Sequence, residues 1–141
     1  MPGLGNLQVV RLRGNLLLSL QGELSDAAVN ALKETVAEKV SRSQGVTGLI
    51  IDVSGIDVMD SYISRTIRDL SVICKLMGVT TVLAGMDPHV AMTLVEMGLD
   101  FSGVHTALNL DVALDRLNEV AARPRRRRGQ RRAAPRAGRA G

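Results

Sequence analysis

Short apolar runs alternate along this chain with stretches whose apolar residues recur every three or four positions. That alternation constrains the fold more than any other feature. Leu7–Leu12 and Asn15–Gln21 read as strands, and Arg13-Gly14 between them is a tight-turn signal that fits a hairpin. Ser25 is a good N-cap, Asp26 suits a first helical turn, and Val29, Leu32, Val36 and Val40 keep helical spacing to about Ser41. Thr47–Val53 is an apolar run suited to a buried strand, and a polar link, Ser54–Asp60, follows it. From Ser61 onward, Ile63, Ile67, Leu70, Ile73, Cys74 and Met77 mark a second helix, with Gly78 placed to end it. Val79–Ala84 is the next strand and Gly85–Asp87 a turn. Pro88 opens a third helix that runs to Met97 and stops at Gly98. Val104–Ala107 reads as a short last strand. Asn109 caps a fourth helix, with Leu110, Ala113, Leu114 and Leu117 on its apolar face, ending near Ala122.

The order β-β-α-β-α-β-α-β-α predicts an α/β domain. Its sheet is mixed, an opening antiparallel hairpin plus parallel strands, and is packed with about four helices. With 141 residues the chain supports one core and not two. Charge divides it sharply. Residues 1–122 hold nine basic and fourteen acidic side chains, a net of −5, whereas residues 123–141 hold nine arginines and no acid. That last segment contains only Arg, Ala, Gly, Pro and Gln and cannot bury apolar area. The expected division is therefore a folded domain over 1–122 and a disordered basic tail over 123–141.

Cys74 is the only cysteine, so no internal disulfide forms. The N-terminus lacks a signal-peptide pattern and no apolar run reaches the ~18 residues of a membrane span, so the expected location is the cytoplasm, with no membrane association. Tyr62 and Phe101 are the only aromatic residues. The core must be aliphatic, and the scarcity of aromatics argues against single-stranded nucleic-acid binding by base stacking. Nucleic acid remains a partner only through the basic tail, by counterion release.

Few residues carry chemistry. His89 and His105 are isolated, Cys74 lies within an apolar helical stripe, and no spacing resembles a zinc site. No phosphate-binding loop, dinucleotide fingerprint or nucleophile elbow is present, so neither an enzyme nor a bound cofactor or metal is expected. Asp52, Asp57 and Asp60 cluster near one strand-to-helix link, where they serve equally well as loop and capping residues. The same link, Asp57 to Ser64, leaves the carboxyl end of a buried strand, the place where open α/β sheets expose functional groups. Ser61 falls at or near the N-cap, and on the residues alone the plainer reading of it is a capping serine.

Ile50-Ile51-Asp52-Val53-Ser54 followed by Met59-Asp60-Ser61-Tyr62-Ile63 resembles the signature of STAS domains, the fold of anti-sigma-factor antagonists. The resemblance continues through Lys75–Val79, Val82–Pro88, Val90–Leu99 and Thr106–Leu110, includes Asn15–Leu24, and covers residues 7–120. Lys75-Leu76-Met77-Gly78 and the run from Ala91 to Leu99 are similar to stressosome members of RsbS type, which lack an N-terminal sensory domain, and none is expected here. The resemblance implies a regulator that binds and sequesters an RsbT-like serine/threonine kinase, together with RsbR-like co-antagonists in a large assembly. It implies phosphorylation on Ser61, with Ser64 as the alternative, and resetting by an RsbX-like phosphatase. Asp57, Asp60, Ser61, Tyr62, Ser64 and Arg65 are the expected partner-binding residues. The alternatives are a direct antagonist of a sigma-inhibiting kinase and a nucleic-acid-associated protein acting through the tail.

Overall fold

The strand and helix patterns assemble, in a computed structural model describing residues 7–99, 101 and 103–122, into one five-stranded sheet covered on both faces. The elements in chain order are β1 (Leu7–Leu12), β2 (Asn15–Gly22), α1 (Asp26–Arg42), β3 (Gly48–Ile56), α2 (Ser61–Leu76), β4 (Thr80–Ala84), α3 (Pro88–Glu96), β5 (His105–Ala107) and α4 (Leu110–Ala122). Spatial order equals chain order, with β1 antiparallel to β2 and every later pair parallel. The expected tail and its boundary after Ala122 lie outside the described residues.

Sequential parallel strands joined by right-handed crossovers put α1, α2 and α3 on one face of the sheet. There Leu16, Leu18, Leu20, Leu49, Ile51, Val53 and Leu83 meet Val29, Leu32 and Val36 of α1, Ile63, Ile67, Leu70 and Cys74 of α2, and Leu94 of α3. The alternate strand residues Ile50, Val82 and Ala84 point the other way and are covered by Ala113 and Leu117 of α4. β3 is buried on both faces, which is why it reads as a continuous apolar run. Cys74 lies wholly inside the core, and burial pushes its thiol above the ordinary range against a smaller opposing effect of the neighbouring Thr81 side chain.

Two of the boundaries that differ from the sequence expectation, and the turn of the opening hairpin, each have a local reason. β3 continues past Val53 to Ile56 because β2, after a register shift between Ser19 and Gln21, pairs Gln21 with Gly55 and Gly22 with Ile56. β4 begins at Thr80, since the Val79 amide donates to the Cys74 carbonyl (2.8 Å) and the Gly78 amide to that of Lys75 (3.1 Å). With Gly78 at φ +83° this is a complete Schellman cap on α2. In the β1–β2 turn the positive φ falls on Arg13 (57°), whose carbonyl accepts from Arg11 Nε at 3.0 Å.

The α4 face is thin, and Gly48 shows why small residues are needed there. A Cβ at Gly48 would lie 2.8 Å from Leu117 Cδ1 and closer still to Asn15 Oδ1. Gly48→Ala is expected to lower stability by about 1–3 kcal/mol in a urea titration, an overpacking cost that outweighs the usual gain from replacing a strand glycine. An unchanged midpoint would mean that α4 moves away freely.

Candidate functional site

The carboxyl edge of the sheet carries the candidate site, built around the start of α2. β3 delivers the chain to this edge, and the Asp57 amide, donating to the Gly22 carbonyl at 3.0 Å, ties the link to the end of β2. Met59 turns inward and is buried against the main core, which pins the middle of the link. Asp57 and Val58 are left outward, Val58 with 59% of its surface exposed.

Asp60, and not Ser61, is the N-cap. Its backbone is extended (φ −86°, ψ 179°) and its Oδ1 accepts from the Ile63 amide at 2.8 Å. A short carboxylate at this position satisfies an orphan donor and faces the positive end of the helix dipole. Ser61 is consequently the first helical residue, half-buried, and its hydroxyl makes no hydrogen bond among the described residues. Replacing Asp60 by alanine is expected to cost about 1 kcal/mol of stability, with Asp60→Asn retaining most of it because the amide oxygen still caps. Equal losses for the two variants in urea unfolding would show that charge, not the cap, matters.

The other expected site residues separate into two groups. Tyr62 (44% exposed) and Arg65 lie on the surface near Ser61, and the Tyr62 hydroxyl donates to Asn30 Oδ1, tying the first turn of α2 to α1. Ser64 is different: it is 0% exposed, and its hydroxyl donates to the Asp60 carbonyl at 2.8 Å. The packing of α2 against α1 and the sheet encloses Ser64, so it does not share the surface formed by Asp57, Asp60, Ser61, Tyr62 and Arg65. Asp52 is held apart as well, its Oδ1 accepting from the Ser54 amide at 2.9 Å. Among the described residues no group of three His, Cys, Asp or Glu side chains is placed to hold a metal.

Sequence reasoning missed the neighbourhood of this surface. A depression of about 290 Å³ runs beside it, lined by Ser54, Asp57 and Met59 and, from the turn into α3, by Met86, Asp87 and His89. Asp87 caps α3, accepting from the His89 amide at 2.8 Å. The signal was available: in a parallel sheet every β-to-α link arrives at the same edge, so the β4–α3 turn must lie beside the β3–α2 link.

A five-stranded mixed sheet with a serine at the opening of its second helix defines a class. Residues 6–113 match the STAS domain model, and the chain belongs to the STAS domain family. Within it, this chain is 34% identical over 98 residues to the RsbT co-antagonist protein RsbRD of Bacillus subtilis, an alignment covering 70% of this chain and 35% of that protein. It thus spans about a third of the length of the co-antagonists it matches. Of solved structures, a serine-to-glutamate variant of RsbS from Moorella thermoacetica is similar with a TM-score of 0.74 and 34% identity, covering 84% of this chain and all of that one. A chain from the molecular architecture of the stressosome, a signal integration and transduction hub, gives a TM-score of 0.70 at 32% identity, over 82% of this chain and all of that one. The similarity is therefore to stressosome STAS proteins of RsbR and RsbS type. No helix among the described residues is long and apolar enough to cross a membrane.

Proposed function

We propose that this chain is a stressosome-type antagonist: it binds and sequesters an RsbT-like serine kinase and releases it when Ser61 is phosphorylated. The observation that carries this reading is the contrast between the two serines. Ser61 is half-buried with a hydroxyl unengaged among the described residues, whereas Ser64 is enclosed and its hydroxyl is engaged with the Asp60 carbonyl. Phosphoryl transfer requires the hydroxyl oxygen to reach the kinase site, and Ser64 reaches it only if the first turn of α2 opens. Asp57, Asp60, Tyr62 and Arg65, with Val58 added to the set, form the surface that meets the kinase. RsbR-like co-antagonists assemble with residues 1–122 into a large cytoplasmic complex, and an RsbX-like phosphatase removes the phosphate. The chain itself acts by binding and catalyses nothing.

The phosphate acts on the interface and leaves the fold intact. It adds about −1.5 to −2 charges at the first position of α2. There the helix dipole returns roughly 0.3–1 kcal/mol, and the repulsion from Asp57 and Asp60 is screened by water and salt. The test is incubation with the RsbT-like kinase and ATP, with the modified residue mapped by mass spectrometry and Ser61→Ala alongside. Phosphate on Ser61, lost in the variant, is the expected result. Phosphate on Ser64 or only on the basic segment would overturn the assignment.

A further inference from the structure

α2 and α3 differ from the other two helices on the side that faces away from the sheet. The outer side of α1 carries Glu34, Glu38 and Ser41, and that of α4 carries Asp111, Asp115 and Glu119, all exposed. On α2, Ile63, Ile67, Leu70 and Cys74 turn toward the sheet, and Val72 and Leu76, one turn apart, come out on the opposite side. Leu76 is 83% exposed. On α3, six of the nine residues are apolar (Pro88, Val90, Ala91, Met92, Leu94 and Val95), yet only Leu94 is buried and Val95 is 76% exposed. A helix apolar around most of its circumference belongs where it is covered on more than one side. Single exposed apolar residues are ordinary on a protein surface. Val72, Leu76, Met92 and Val95, however, are gathered on two helices that pack on the same face of the sheet, and such a gathering marks an interface.

The charges beside these residues point to what covers them. α2 brings Arg68 and Lys75 and α3 brings Glu96, and none of the three forms an ion pair among the described residues, where the pairs are Lys33–Asp69 and Arg42–Glu38. α3 itself holds no Lys or Arg. A partner surface of one sign would match one helix and oppose the other. A second copy turned about a two-fold axis matches both. α2 of each copy then meets α3 of the other, so the Arg68 and Lys75 side faces Glu96 twice over while Val72 and Leu76 cover Met92 and Val95. A stable interface takes about 800 Å² from each partner, an area that calls for the outer sides of two neighbouring helices rather than one. Ser61 lies about 16 Å along α2 from Val72, so the first turn of α2 remains open to the kinase.

We propose that the outer sides of α2 and α3 form a two-fold interface with a second copy of this chain, apolar at its centre and closed by Arg68 and Lys75 against Glu96. The contact is between copies of this chain and is separate from the kinase surface at Ser61.

The test is sedimentation velocity of the full chain over a concentration series, which reads the oligomeric state directly. A monomer–dimer equilibrium is expected. Leu76→Asp and Val95→Asp are each expected to weaken it by about tenfold or more while melting at the parental temperature, because both side chains lie outside the core. Glu96→Lys is expected to weaken it as well. Adding Arg68→Glu and Lys75→Glu to that variant is expected to restore it, since the reversed charges match again. A parent that stays monomeric, face variants with the parental dissociation constant, or a triple variant no tighter than Glu96→Lys overturns the proposal. Association with an RsbR-like protein but not with a second copy overturns it too, and assigns the face to that partner. Each variant is also incubated with the kinase and ATP. Phosphate transfer to Ser61 is expected to persist in the monomeric variants, so a failed dimer and a failed kinase reading give separate results.

Discussion

Phosphorylation of Ser61, or Ser61→Glu as its nearest genetic substitute, is expected to weaken kinase binding by about a hundredfold or more while leaving the urea midpoint unchanged. The two halves of this result have different origins. Within the domain the added charge sits at the first position of α2, half-buried and open to water, with Asp60 already capping the helix. Dipole attraction and carboxylate repulsion there are each small after screening and opposite in sign. Within the complex the same charge is desolvated against a surface that evolved around a neutral hydroxyl, and such mismatches cost several kcal/mol. A penalty of ~3 kcal/mol is already more than a hundredfold in affinity. Ser61→Ala keeps the interface neutral and is expected to bind the kinase at parental strength without release by ATP. Titration calorimetry with the kinase, paired with urea unfolding of each variant, checks both halves. Loss of the fold in the glutamate variant, or unaltered affinity, would contradict the mechanism.

Gly85→Val is expected to be among the most damaging single changes in the domain, lowering stability by ~3 kcal/mol and the melting temperature by roughly 10 °C or more. Gly85 leaves β4 with its amide donating to the Ala107 carbonyl at 3.2 Å and its φ at +78°. A β-branched side chain in that left-handed conformation is strained by about 1–2 kcal/mol before it touches anything. Here it also meets its neighbours, since a Cβ would stand 2.9 Å from Ser54 Cβ and 3.1 Å from Asp52 Oδ1. That oxygen accepts from the Ser54 amide, so the clash also disturbs the stretch of β3 that leads toward the surface around Ser61. Gly78→Ala is the matched control. Its φ is +83° and nothing lies within 4 Å of a built Cβ, so it isolates backbone strain and is expected to cost about 1 kcal/mol. Equal losses for the two variants would show that crowding at Ser54 is relieved elsewhere.

Several features of the candidate site are legible in the order of residues alone. Asp57, Asp60, Ser61, Tyr62 and Arg65 do share one surface at the opening of α2, because a strand-to-helix link in a parallel sheet must emerge at the carboxyl edge. The identity of the cap is not legible in this way: Asp60 and Ser61 are both good capping residues, and the choice depends on where β3 releases the chain. That point is set by the pairing of Gly22 with Ile56 and the bond from the Asp57 amide to Gly22, both contacts between residues far apart in sequence. Ser64 shows the same limit. Helical periodicity alone leaves a serine beside the Ile63 and Ile67 stripe free to face either way, and only the packing of α2 on α1 and the sheet buries it.

Local pattern was sufficient for the order of elements, the mixed character of the sheet and the aliphatic composition of the core. These follow from periodicity, turn residues and the scarcity of aromatics, properties carried within a few consecutive positions. Three further matters were settled by the packing of distant segments. Packing fixed which face of the sheet is thick and which is thin enough to require Gly48, and it separated accessible Ser61 from enclosed Ser64. It also left Leu76 of α2 and Val95 of α3 outside the core. Each depends on contacts between strands and helices remote along the chain, and the short-range pattern of residues carries no record of which remote surfaces will meet.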